Sequence, residues 1–125
     1  MSHGLVHVLG EPGDGRDAIE EAILSQGWMV STGGTSEPIE PGADVLVFDG
    51  RGAIGSTAAA VALDHRPMIA VLEGPGVVAD ELRRRSAPTM AMAGFCPSGL
   101  LVGLSTCAAL RPHGDREAQR LAAAS

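Results

Sequence analysis

The chain has 125 residues, a formal net charge of -6 and 45% hydrophobic residues. This length fits one domain with a single core, and the hydrophobic content excludes a disordered chain. The acidic balance argues against a nucleic-acid partner or an anionic membrane surface.

Neither a targeting signal nor a cysteine motif in the sequence indicates a further function. No stretch approaches the ~20 apolar residues of a membrane span, and the N-terminus lacks the basic-then-apolar build of a signal peptide. We therefore expect a cytoplasmic protein. Cys96 and Cys107 are too few for a disulfide framework and lack zinc-site spacing. Both are expected to be small buried hydrophobes.

The first part of the chain predicts two strands around a helix. Residues 5–9 form a short apolar run, and residues 16–26 place apolar side chains on one helical face and glutamates on the other. Asp14 is the expected N-cap of this helix. A shorter strand follows at 28–31. Residues 33–43 predict a loop with room for at most a one-turn helix.

Residues 43–50 are the most informative stretch. Four apolar residues lie together between Asp44 and Asp49, and glycine-rich sequence follows. A continuous apolar run bounded by turn residues is typical of a central parallel strand that is buried on both faces. Asp49 is then expected at the carboxyl end of that strand, where open α/β sheets place their ligand clefts.

The second part of the chain continues the alternation. It predicts a helix at 57–64 capped by Ser56, a strand at 68–72, a helix at 77–86, a strand at 89–93 and an apolar helix at 98–110. Five strands alternating with helices indicate a doubly wound α/β domain over residues 1–110, followed by a C-terminal tail at 111–125. Periodicity alone leaves the strand order open.

These elements resemble the receiver domain of bacterial two-component response regulators over roughly residues 5 to 110. Ala-Asp-Val-Leu-Val-Phe-Asp at 43–49 resembles the strand that ends in the phospho-accepting aspartate. Ala-Gly-Phe-Cys-Pro at 93–97, with the apolar helix behind it, resembles the last strand, the Lys-Pro junction and the final helix. The resemblance implies a flavodoxin-like, five-stranded parallel sheet of order 2-1-3-4-5 with helices on both faces.

The departures from this family fall on its chemistry. The acidic pair that holds Mg²⁺ in receivers corresponds here to Gly10 and Glu11. The hydroxyl residue that reports phosphorylation corresponds to Leu72, and the lysine that contacts the phosphoryl group corresponds to Cys96. All nine basic residues of the chain are arginine. Only the acceptor position, Asp49, is kept.

These losses predict a degenerate receiver. Phosphoryl transfer needs positive charge on the transferring oxygens. A phosphate at Asp49 that contacts neither a lysine nor a hydroxyl cannot shift a conformational equilibrium. We therefore predict a pseudo-receiver that is not an enzyme and needs no cofactor. It would act in signalling or assembly by protein–protein contact, as a homodimer or with a protein partner.

Two alternatives stay open at this point. Glu11 and Asp49 could together bind Mg²⁺, which usually takes one or two carboxylates, and the chain would then be a phospho-accepting receiver. A small-ligand or enzymatic flavodoxin-like domain would instead place the Cys96 thiol beside the cleft. The structural interpretation of Asp49 is a pairing with Arg51 or Arg16.

The expected contact surface lies near the end of the chain. Arg83, Arg84 and Arg85 fall in the last turn of a predicted helix and would rim a surface for an acidic partner. The final helix is too uniformly apolar for a free surface. Its candidate contact residues are Leu100, Leu101 and Leu104.

Two other features are interpreted as structural. The loop at 10–15 stands where phosphate-binding loops occur, but its spacing matches neither GxGxxG nor GxxxxGK[ST]. His3 and His7 are four residues apart, which in a strand is not the helical spacing of metal ligands. His7 is expected to be a partly buried strand residue.

Overall fold

The computed structural model describes residues 4–34 and 36–110 of the chain. The predicted tail at 111–125 and His3 lie outside these residues, so the boundary proposed after residue 110 stays a prediction. No helix in the described part is long and apolar enough to cross a membrane.

Strands and helices alternate along the described chain. The strands are β1 (Leu5–Leu9), β2 (Met29–Gly33), β3 (Val45–Asp49), β4 (Met68–Leu72) and β5 (Thr89–Ala93). The helices are α1 (Asp14–Leu24), α2 (Gly55–Val61), α3 (Val77–Arg83) and α4 (Pro97–Leu110). All strands pair in parallel in the order β2-β1-β3-β4-β5. The predicted flavodoxin-like order is therefore confirmed.

The sheet is buried on both faces, which explains the continuous apolar runs. Every residue of β4, and every residue of β3 except Asp49, is buried. Successive strand side chains point to opposite faces, so each of the three central strands β1, β3 and β4 contributes to two cores. Val6, Val8, Val45, Val47, Ile69 and Val71 pack with residues of α1 and α4, whereas Leu9, Leu46, Phe48, Met68 and Ala70 pack with residues of α2 and α3.

The predicted helix caps are wrong because α1 begins one residue, and α2 two residues, earlier than the expected caps allow. The amide of Asp17 donates to the carbonyl of Gly13, so Asp14 is the first residue of α1. Ile54 precedes α2, and Ser56 lies inside that helix. Neither helix start has a side-chain cap. Aspartates in the first turn of α1 still suit the positive end of its dipole.

The connection between β2 and β3 contains no helix among its described residues, as the sequence predicts. It lies over His7, which is only 3% exposed and therefore more buried than expected. The Nδ1 atom of His7 lies 2.6 Å from the Ser31 hydroxyl oxygen. Its Nε2 atom is buried without a hydrogen-bond partner in the described structure. Burial lowers the pKa of His7, although Glu40 and Glu37 oppose that shift and Arg66 adds to it.

The part-buried side chains of Arg66 and Arg85 hold the amino ends of the strands together. Arg66 donates two hydrogen bonds to the Asp64 carboxylate, of 2.7 and 3.0 Å, and further bonds to the carbonyls of Glu40 and Ala43. These bonds tie the β2–β3 connection to the residues before β4. The hydrogen bond from Arg66 lowers the pKa of Asp64.

We expect Arg66→Met to lower the free energy of unfolding by about 2–4 kcal/mol, because it removes the guanidinium that donates to the part-buried Asp64 carboxylate and to the carbonyls of Glu40 and Ala43. Urea denaturation measures the change. Arg84→Met is the matched control, since its side chain is 75% exposed and should change stability by less than about 0.5 kcal/mol. Equal losses in both variants would contradict this role for Arg66.

We expect the stability of the protein to rise with pH across the range just below and above the ordinary histidine pKa. The folded state holds His7 neutral to a lower pH than the unfolded chain does, so the unfolded state binds the extra proton as pH falls. The slope is at most about 1.4 kcal/mol per pH unit for one group.

Urea unfolding between about pH 5.5 and 7.5 brackets the ordinary histidine pKa of about 6.5 and measures this slope. His7→Leu should flatten it, whereas His65→Gln, which changes an exposed histidine, should leave it unchanged. A slope that persists in His7→Leu would assign the pH dependence to other groups.

Candidate functional site

The candidate site is a cleft at the carboxyl ends of β1 and β3, where the strand order reverses along the sheet. Asp49 ends β3 and lies in this cleft, as predicted. The cleft has a volume of about 320 Å³ and is lined by Glu11, Asp49, Arg51, Gly52, Ala53, Ile54 and Thr57.

Asp49 is paired with Arg51 through both carboxylate oxygens. Nε of Arg51 donates to Oδ1 at 2.8 Å and Nη2 donates to Oδ2 at 3.2 Å. The Arg51 amide adds a third bond to Oδ1 at 3.3 Å. The two side chains are 12% and 31% exposed for Asp49 and Arg51 respectively. The hydrogen bond to Asp49 raises the pKa of Arg51.

The other expected partner of Asp49 is engaged elsewhere. Arg16 donates from Nη1 to the carbonyl of Gly10 at 3.1 Å. This bond fixes the first turn of α1 against the end of β1. The prediction that Asp49 pairs with an arginine is therefore confirmed for Arg51 and not for Arg16.

Two glycines leave room for the Asp49–Arg51 pair because they carry no side chain. A Cβ atom on Gly10 would lie 2.9 Å from the Cβ of Asp49, and one on Gly15 would lie 2.7 Å from Nη2 of Arg51. Gly10 is also held in place by its amide, which donates to the carbonyl of Gly33 at 3.0 Å. The first acidic position of a receiver therefore falls on backbone that approaches β3 too closely for a side chain.

The expected Mg²⁺ ligands, Glu11 and Asp49, line the same cleft. The carboxylate of Glu11 lies near Gly34, beside that of Glu37, which accepts the Gly34 amide at 3.1 Å. Both oxygens of Asp49 are bonded to Arg51. The described residues contain no group of three or more His, Cys, Asp or Glu side chains that could hold a metal ion. Mg²⁺ binding through Glu11 and Asp49 alone stays a prediction, and it requires Arg51 to release an oxygen of Asp49.

The position of the receiver hydroxyl is filled by an apolar contact. Leu72 is buried at the end of β4. A Cβ atom on Gly50 would lie 2.7 Å from Cδ2 of Leu72, so this side chain packs directly on the loop after β3. The neighbouring cleft, of about 420 Å³, is lined by glycine and apolar residues with Glu73 as its charged member.

The two cysteines have opposite surroundings. Cys107 is buried, which raises its pKa to about 11, so its expected role in the core is confirmed. Cys96 is exposed immediately before α4, so the same expectation is wrong for it. The Cys96 sulfur lies 3.3 Å from the Ser98 hydroxyl oxygen, and bonds from Ser98 and the Gly99 amide lower its pKa. Cys96 does not line the cleft of Asp49.

The expected contact residues of α4 lie in the core. Leu100 and Leu104 are fully buried with Ile69 and Val71, and Leu101 packs partly against the same cluster. The prediction that Leu100 and Leu104 lie at a contact surface is therefore wrong. A uniformly apolar helix does not indicate which of its faces meets the sheet.

The three consecutive arginines also differ in their exposure. Arg85 is half-buried and donates to the carbonyls of Asp64, Arg66 and Pro88, so it is not a rim residue. Arg83 and Arg84 remain exposed, with 74% and 75% of their side chains accessible.

A groove that the sequence analysis missed runs between α3 and the edge strand β5. It consists of two adjoining hollows of about 240 and 310 Å³, which share Leu72, Ala79, Arg83 and Ala91. The groove exists because α3 packs on α2, while the face of β5 beneath it carries only small side chains. The alternation of methionine and alanine in β5 was the available signal.

Comparison with known proteins supports the fold. No family model and no curated protein matches the chain. A crystal structure of a response regulator receiver protein from Pseudoalteromonas atlantica matches with a TM-score of 0.63 and 12% identity, over 82% of this chain and 95% of that one. A fusion containing the yeast Spc42 trimeric coiled coil, amino acids 181–211, matches with a TM-score of 0.65 and 11% identity, over 94% and 88%. The chain has a receiver-like fold.

We expect that a side chain cannot be restored at the first acidic position without loss of stability. Gly10→Ala should lower the free energy of unfolding by about 1–3 kcal/mol, because the new Cβ overpacks against Asp49. Chemical denaturation measures the loss. Gly99→Ala is the control, since its new Cβ meets neighbours at 3.6 Å and helix propensity favours alanine by up to about 1 kcal/mol. A neutral Gly10→Ala would show that this backbone yields easily.

Proposed function

We propose that this protein is a pseudo-receiver, which acts in signalling or assembly through protein–protein contacts and not through catalysis or a phosphorylation switch. The observation that carries this proposal is the bidentate pair in which Arg51 bonds both oxygens of Asp49. The receiver-like fold supports the broader class of signalling domain.

The chemistry of the site argues against phosphorylation. A carboxylate attacks a phosphoryl donor only when one of its oxygens is available and cations neutralise the transferring oxygens. Among the residues that the structure describes, Arg51 is the cation paired with Asp49, and it already neutralises the carboxylate itself. Gly10 leaves no room for a second acid. Replacing the pair by a phosphorylated aspartate would therefore cost two good hydrogen bonds.

The same pair gives the domain one stable state. Receivers respond because the phosphoryl group forms contacts that the free aspartate lacks, and a ligand shifts an equilibrium only by such differential contacts. In this chain Leu72 offers no hydroxyl and is buried against the loop after β3. We infer that the surface presented to partners does not depend on a signal at Asp49.

The contact surface that we propose is the face of α3 and β5. It combines an apolar groove with two exposed cations, Arg83 and Arg84, on a chain of net negative charge. Partner surfaces of this kind join a small apolar centre to a charged rim. Of the contact residues expected from the sequence, these two arginines are the ones that the proposal keeps.

A phospho-accepting receiver is the second candidate, because Glu11 and Asp49 line the same cleft. In that case Arg51 would have to leave Asp49 before a cation and a phosphoryl donor could approach. The side chain of Arg51 is at the surface and belongs to the loop after β3, so such a movement needs no change in the core.

Intact-mass measurement after incubation with Mg²⁺ and acetyl phosphate separates the two candidates. We expect no phosphoryl increment on the wild-type protein, on Asp49→Asn or on Arg51→Gln, because removal of Arg51 frees the carboxylate without supplying the missing lysine. A competent receiver treated in parallel is the positive control, and circular dichroism shows that each variant is folded.

An increment on the wild-type protein that Asp49→Asn loses would overturn the pseudo-receiver and support the second candidate. An increment that appears only on Arg51→Gln would identify Arg51 as the group that blocks phosphorylation.

A further inference from the structure

We infer that copies of this chain associate head to tail, with the exposed face of α1 in one copy seated on the α3–β5 groove of the next. This inference rests on the proposed function, because it names the partner of the contact surface proposed there. It is carried by the complementary charge of two surfaces that cannot meet within one molecule.

The outer face of α1 is an acidic stripe. Asp14, Asp17, Glu21 and Leu24 are all exposed, and their spacing of three, four and three residues places them along one side of a helix. The opposite side carries the buried Ile19 and Ile23. The stripe therefore presents three carboxylates followed by a leucine that is 51% exposed.

One exposed arginine lines the groove and a second follows it in the chain. Arg83 lines both hollows, and Arg84 stands next to it at the end of α3. The other described arginines are committed to carboxylates or carbonyls within the fold: Arg16, Arg51, Arg66 and Arg85. Asp80 and Glu81 pair with the two exposed arginines along α3, at 3.2 and 3.6 Å. Such exposed pairs are worth about 0–1 kcal/mol, so both guanidinium groups can exchange them for carboxylates of a partner.

The floor and the length of the groove suit a helix. Ala79, Ala91 and Ala93 line it together with Leu72, and small side chains let a helix approach closely. The 11 residues of α1 span about 16 Å at 1.5 Å per residue. The 5 residues of β5 span about 16 Å at 3.3 Å per residue. The exposed Leu24 can then reach apolar surface within the groove.

The topology makes this contact intermolecular. α1 packs on β1, β2 and α4, at one edge of the sheet, whereas the groove lies at the edge strand β5. The residues of α1 and those of α3 also belong to different faces of the sheet. A copy that offers α1 to one neighbour keeps its groove free for another, so the contact is heterologous and can repeat.

The balance of forces predicts a weak and salt-sensitive association. Charge complementarity sets orientation and encounter rate more than affinity, and exposed charges are screened within about 8 Å at physiological ionic strength. The apolar part of the contact is one leucine on an alanine-lined groove, so we expect dissociation constants of about 10 µM to 1 mM.

Sedimentation velocity of the full chain over increasing concentration tests this inference, at about 0.05 M and about 0.5 M salt. We expect the weight-average mass to keep rising beyond a dimer at low salt and to fall at high salt. Asp17→Arg/Glu21→Arg and Arg83→Glu/Arg84→Glu should each weaken association at least about tenfold. Ser105→Arg, on an exposed position of α4, is the control for a change in net charge.

The decisive sample is an equimolar mixture of the two double variants. The wild-type α1 of one variant is complementary to the wild-type groove of the other, and the two charge-reversed surfaces are complementary to each other. The mixture should therefore regain the association that neither variant shows alone. A wild-type protein that stays monomeric, a mixture that does not pair, or association that depends on the arginines alone would overturn the head-to-tail contact. The last result would indicate a symmetric α3–β5 dimer.

These outcomes are distinguishable from failure of the proposed function. A monomer without phosphoryl transfer overturns only the head-to-tail contact and leaves the pseudo-receiver with a different partner. Phosphoryl transfer to Asp49 overturns the pseudo-receiver whether or not copies associate. Thermal unfolding of each double variant, compared with the wild-type protein, establishes that lost association is not lost folding.

Discussion

The close approach of the β1–α1 loop to the end of β3 is the constraint on which the site depends. Gly10 lies against the Cβ of Asp49 and Gly15 lies against the guanidinium of Arg51, so neither position can carry a side chain without a local shift. This approach leaves the carboxylate of Asp49 open to Arg51, which bonds both of its oxygens. The carboxylate at the end of β3 is thus paired with a cation that belongs to the chain itself.

A core of small and aliphatic side chains shapes the surface as well as the interior. With only 2% aromatic residues, the sheet is filled by valine, leucine, isoleucine and alanine. Where alanines face α3 from β5, the helix and the strand do not close upon one another, and a groove remains. At the amino ends of the strands, by contrast, the part-buried side chains of Arg66 and Arg85 link neighbouring loops by donating hydrogen bonds to their carbonyls.

Patterns that repeat along the chain predicted the fold well, and single side chains were predicted poorly. The run at Val45–Phe48 identified a buried central strand because only a strand covered on both faces is apolar at every position. The uniformly apolar sequence of α4 does not indicate which face of the helix packs on the sheet, so Leu100 was wrongly predicted to lie at a contact surface. The exposure of Cys96 and Arg85 was predicted wrongly, because the exposure of a residue beside a helix end depends on the path of the neighbouring loop.

The sequence by itself determined the alternation of five strands with helices, the place of Asp49 at a strand end and the loss of the lysine, because residue identity and local periodicity decide these features. The resemblance that it carries also implied the strand order. Only the tertiary structure decided that Arg51 and not Arg16 holds Asp49, that Gly10 excludes a side chain, and that Arg83 lines a groove. The approach of Gly10 to Asp49 and the groove between α3 and β5 join segments that are far apart in the chain. The Asp49–Arg51 pair joins residues only two positions apart, but it depends on side-chain orientations that no sequence pattern encodes.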